Sequence, residues 1–136
     1  MKTLKTGIRD KKDKLKSTAI WYIGFYLLGA SLDIASTAIG VSYFGYYIEQ
    51  NLAAQGAMLM GVWPWMIITN ASTMILPVAT TYYWYRYEEK KNYPNSPGRL
   101  AKAMFLLSGF PSAYAGSIGF VAGMNNFLWL KSMGVI

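Results

Sequence analysis

Three long stretches of the chain carry almost no charge. Between Glu49 and Arg86 lie 36 consecutive uncharged residues, between Lys102 and Lys131 lie 28 more, and Ser17 to Ile48 holds a single charge, Asp33. About 20 apolar residues cross the hydrocarbon core of a bilayer, so each stretch has room for one helix with margin for tilt or an interfacial turn. The pattern predicts an all-α integral membrane protein with three transmembrane helices, at about 19–45, 62–86 and 101–130. Aromatic clusters suit the water interfaces at their ends: Trp21 and Tyr22, then Tyr43, Phe44, Tyr46 and Tyr47; Trp63 and Trp65, then Tyr82 to Tyr85; and Trp129. Pro77 predicts a kink in the second helix, with Thr73 or a neighbouring helix satisfying the freed carbonyl. Pro111 falls near the first turns of the third.

The charges divide the chain into a basic arm, 1–18, and a three-helix transmembrane domain, 19–136. Seven basic residues stand in the arm against Asp10 and Asp13, and five more between 86 and 102, whereas 46–61 has none and the C-terminal tail only Lys131. The positive-inside rule then places the arm and the second loop in the cytoplasm and the C-terminus outside, in a multi-pass protein of the cell membrane. The arm suits an amphipathic helix on anionic headgroups. A cleavable signal is disfavoured, because the following apolar run exceeds the usual h-region. Pro94, Asn95, Pro97 and Gly98 predict a turn-rich cytoplasmic loop over Lys91–Arg99.

Composition narrows the chemistry. With 54% apolar and 14% charged residues, the chain is poorer in charge than a soluble domain. It has neither cysteine nor histidine, which removes disulfides, thiol nucleophiles, thiolate and imidazole metal ligands and the usual proton-transfer side chain. No axial haem ligand, nucleotide loop or Ser–His pair is present, so no catalytic residue, metal or cofactor is expected beyond bound lipid. A net charge of +7 would suit nucleic acid in a soluble protein, but 12 of the 13 basic residues flank the spans in a topogenic pattern. The expected partners are membrane lipids and other integral membrane subunits, not nucleic acid.

Asp33 lies near the middle of the first span, where a carboxylate costs roughly 2.5–3.5 kcal/mol on insertion scales. Asn70 falls at a similar depth in the second span and could donate to it. Ser36, Thr37 and Gly40 share the face of Asp33 by three-and-four spacing. Either Asp33 carries a proton or cation, or it pins helix one to helix two; a translocation path needs several ionisable groups in series, and the spans hold one. Glu49, Asn51, Asn125 and Asn126 form an expected outer polar layer between helix ends, short of a dedicated cation site. On the third helix Ser108, Ser112 and Gly116 recur every four residues, as do Ala115, Gly119 and Gly123. Such ridges admit a second helix backbone, and they are expected to face another subunit.

Taken together, Leu32-Asp33 followed by Ser36-Thr37 and Gly40, then Glu49-x-Asn51, then Asn125-Asn126, resemble a family of small prokaryotic membrane proteins known only as a domain of unknown function. The likeness covers roughly residues 25–131. It departs in Leu52, where proline often follows the Asn, and in Asn70, in a region where a lysine is expected. The resemblance implies a three-helix fold and no activity. The leading functional expectation is therefore a non-catalytic accessory or scaffold subunit of a membrane enzyme. By analogy of size the hosts are copper-dependent ammonia or methane monooxygenases or respiratory oxidases. The alternatives are a homo-oligomeric channel or transporter using Asp33 and Asn70, and a membrane-surface adaptor acting through the arm.

Overall fold

The computed structural model describes residues 2–92 and 98–136, with side chains from Lys14 onward except Tyr47. Among these residues the fold is all-helical: α1 Lys2–Phe44, a 3-10 turn Tyr46–Ile48, α2 Leu52–Leu59, α3 Trp63–Lys91 and α4 Arg99–Ser132. Two helices, α1 from Lys14 and α4, are long and apolar enough to cross a membrane.

The first correction concerns the arm. The boundary expected at 18–19 falls inside one unbroken helix, Lys2–Phe44. At 1.5 Å per residue, α1 is about 65 Å long, roughly twice a hydrocarbon core. The amphipathic reading of residues 2–13 concerns side chains outside the described ones, and the turn-rich loop likewise falls largely on 93–97.

The second correction concerns the expected loop 46–61, much of which is helical. Gly45, at φ 81°, ends α1, its N–H bonding the Val41 carbonyl at 2.9 Å. Asn51 then caps α2: its Oδ1 accepts from the N–H groups of Ala53 and Ala54 at 3.1 and 3.3 Å. Gly61, at φ 71°, closes α2 in a Schellman pair, Val62 N–H to Ala57 O at 2.8 Å and Gly61 N–H to Met58 O at 3.0 Å. Trp63-Pro64 opens α3, with the proline in its first turn.

α3 is the third departure. Its 29 residues are long enough to span and remain uncharged until Arg86, yet Thr69, Asn70, Ser72, Thr73, Thr80 and Thr81 dilute its apolarity, and it does not qualify as a span by composition. Length without charge had predicted more than the hydropathy supports.

Packing is uneven. α1 lies along α4 over most of its length, α3 packs on α4, and α1 and α3 scarcely touch. The successive contacts Tyr22–Gly109, Phe25–Gly116 and Leu32–Gly123 rise together in number, so α1 and α4 run parallel. Thr81–Ser108 and Met74–Ser112 run oppositely, so α3 is antiparallel to α4. At the end that carries Arg86, Lys90, Lys91, Arg99 and Lys102, Ala19, Val78 and Phe105 form a closed core. Tyr22, Tyr82 and Tyr85 surround the Phe105 ring at centroid distances of 6.3, 5.9 and 6.4 Å. These three expected interface aromatics therefore turn inward, while Trp21, Tyr83 and Trp84 stay exposed.

Candidate functional site

At the other end α1 and α3 part, leaving a cavity of about 820 Å³. Its walls are α1 from Tyr26 to Ser42 and α3 from Trp63 to Met74, with Ala115, Ile118 and Gly119 of α4 behind. Tyr46, Glu49, Asn51 and Met58, on the connection through α2, close one end. Asp33, Thr37, Asn70, Glu49 and Asn51 all line it. Members of two groups expected as separate layers thus share one trough, while Ser36, Thr73, Asn125 and Asn126 lie outside its lining.

Asp33 is half-buried and Asn70 exposed, both on the trough wall. Their expected hydrogen bond is absent among the described residues, and the only ion pair there is Arg86–Glu89 at 2.8 Å. The Asp33 backbone does take part in a network: Ser36 Oγ donates to the Asp33 carbonyl at 3.0 Å, and Asn126 Nδ2 donates to Ser36 Oγ at 3.2 Å. Ser36 is buried, so this pair fastens α1 to α4 from inside. Asn126 therefore reaches the neighbouring helix α1, whereas Asn125 is exposed. Glu49 accepts the Asn51 N–H at 2.7 Å and, with Asn51, organises the start of α2. The expected outer layer is thus split between capping and an α1–α4 bond.

Thr73 donates to Asn70 O at 2.8 Å, a local i−3 bond, and does not serve the carbonyl released by Pro77. The neighbouring-helix alternative describes the turn better: Ser112 Oγ of α4 donates to Met74 O at 2.6 Å, one residue beyond that carbonyl. Thr81 Oγ1 and Ser108 Oγ meet at 2.7 Å two turns further along α3. Ser108 and Ser112 accordingly face α3 of the same chain.

The glycine ridge of α4 meets α1. A Cβ built on Gly116 would stand 2.8 Å from the Phe25 carbonyl oxygen, on Gly119 2.9 Å from the Gly29 carbonyl, and on Gly123 2.6 Å from the Leu32 carbonyl carbon. Gly29 answers from the other side, with no room for a Cβ beside the Gly116 carbonyl. Ser108, Ser112, Gly116, Gly119 and Gly123 were expected to face another subunit; they are occupied within the chain. The sequence marks such a ridge without stating whose helix fills it. The signal overlooked was Gly29, the complementary gap on α1.

Chemically, the trough offers two carboxylates, amide and hydroxyl groups and apolar walls. Among the described residues no group of three or more His, Cys, Asp or Glu gathers as metal ligands. Comparison with protein-family models, with curated proteins and with solved structures finds no match for this chain.

Proposed function

We propose that this chain is a non-catalytic, three-span subunit of a larger complex in the cell membrane, with its basic end in the cytoplasm. The observation that carries the reading is the state of α3. It leaves Trp65, Ile68, Leu76 and Tyr83 uncovered together with Thr69, Asn70, Thr73 and Thr80. Thr69, Thr73 and Thr80 return their hydroxyls to the Trp65, Asn70 and Leu76 carbonyls at 2.8 Å each, but hydrocarbon offers the exposed Asn70 amide no hydrogen-bond partner, so such a helix is better served by another protein than by lipid.

The topology follows from direction. α1 and α4 are parallel neighbours; if both cross, the chain must return between them, and α3 is the one helix long enough to do so. Its low apolarity is then compensated by packing on α4 and on the host. Arg86, Lys90, Lys91, Arg99 and Lys102 gather at the end from which α1 starts, in keeping with a cytoplasmic side. Respiratory oxidases and copper-dependent monooxygenases are the host types that the chain's size suggests. A channel within one chain has less support, since the Ala19–Val78–Phe105 core shuts the bundle beyond the trough.

The test is gentle solubilisation followed by mass measurement of the intact particle. A large particle of several different membrane proteins is the expected result. A closed ring of identical chains, or a stable monomer, would overturn the reading.

A further inference from the structure

We propose that the trough between α1 and α3 receives a transmembrane helix of a different protein carrying one Lys or Arg at the depth of Asp33. The assignment rests on the subunit reading above and names the contact through which that subunit is held.

Shape is the first argument. The trough wall on α1 runs from Tyr26 to Ser42, about 24 Å at 1.5 Å per residue, which is most of a bilayer core. Such a long furrow, with Leu27, Ser31, Ala38, Ser42 and Asn70 exposed along it, matches a helix better than a compact ligand. The rim is also narrow enough for close approach. Ser31, Ala38 and Ser42, spaced by seven and four residues, line the trough and are exposed. This is a small-residue ridge of the kind that lets helix backbones meet, and α4 does not use it.

Charge is the second argument and decides the partner's chemistry. Asp33 and Glu49 line the trough, and no Lys or Arg does, although the chain carries 13 of them. Among the described residues the Asp33 carboxylate has no ion-pair partner, and Glu49 takes one backbone N–H. A carboxylate at membrane depth calls for a cation or donors from elsewhere, and a Lys or Arg on a facing helix can bring its charged end to it along an apolar stem. A second copy of this chain cannot supply that cation, since residues 17–85 and 103–130 contain no basic residue. The partner is therefore a different chain.

The experiment places p-benzoylphenylalanine at Leu27, on the trough rim, and separately at Val121, exposed on α4, and irradiates native membranes. Leu27 should cross-link to one other membrane protein, at a predicted span containing a Lys or Arg; Val121 should not reach that span. Asp33→Lys should reduce the Leu27 product by roughly tenfold or more, as loss of one member of a desolvated charge pair demands. Changing the partner's basic residue to Asp should restore it. Asp33→Asn, which keeps volume and eases insertion, should reduce it severalfold. Cross-linking only to lipid, or to a span without a basic residue, or a product indifferent to both Asp33 changes, overturns the docking. If the particle is nevertheless a hetero-complex, the subunit reading survives that failure; products made solely of this chain overturn both.

Discussion

The same helix, α1, presents two unlike faces. Toward α4 it meets backbone with backbone: Gly29 lies against Gly116 and Gly119, and Ser36 is buried under Asn126. Toward α3 it meets an open trough in which Asp33 stands without an ion-pair partner among the described residues. Lipid tails are as apolar as leucine, so helices in a membrane gain little by merely hiding hydrophobic surface and depend on fit and hydrogen bonds. The α1–α4 seam has both within the chain. The trough has polar groups and small residues but no facing helix, and that contrast separates what holds the fold from what is left for recognition.

Several changes would break or sharpen the contrast. An all-or-none effect is expected from topology: the chain has no cysteine, so single cysteines at Lys5, Gln55 and Ser132 can be labelled with an impermeant thiol reagent on sealed cells. Positions 55 and 132 should react and position 5 should not; the reverse pattern would invert the orientation. Next in size, Gly29→Leu drives a side chain into the Gly116 backbone and should cost about 3 kcal/mol, read as a fall in the melting temperature of the detergent-solubilised chain. A much smaller loss would show that the seam can spread.

Asn126→Ala and Ser112→Ala each delete one interhelical hydrogen bond, to Ser36 Oγ and to Met74 O. Each should cost about 0.6 kcal/mol, and at most about 1.7, on the scale of such bonds within membranes. The smallest effect on the isolated chain is expected from Ala38→Leu on the exposed trough rim, within about 0.5 kcal/mol. The same change should markedly lower recovery of the host in a pull-down, because it enlarges a surface that only a partner meets.

The parts of this fold that were legible in the sequence are those set by local chemistry. Charge-free length and terminal aromatics located α1 and α4, and counting residues from Asp33 brought Asn70 to the facing wall of the same trough. What was missed depends on pairing or on short-range capping. The α2 helix is encoded by Asn51 at one end and Gly61 at the other, signals easily overlooked in a segment of eight helical residues that cannot bury much by itself. Gly116, Gly119 and Gly123 announce a close helix contact, but only the matching gap at Gly29 identifies α1 as the helix that fills it. Asn126 lies five residues before the basic Lys131, toward the end of the helix, yet its amide points at Ser36. The threonines of α3 return their hydroxyls to carbonyls of their own helix, yet they lower its apolarity, which a count of uncharged residues does not register.

The central claim, that the seam is sealed by the chain itself and the trough by another protein, can be tested by thiol reactivity at two serines of α1. Ser36→Cys lies buried in the seam, and Ser42→Cys lies exposed on the trough near the end of the helix. With a water-soluble maleimide, Ser36→Cys should stay protected both in native membranes and in the isolated chain. Ser42→Cys should be protected in native membranes and become reactive once the chain is isolated. Equal reactivity of Ser42→Cys in both states would mean that nothing covers the trough, and the account would fail.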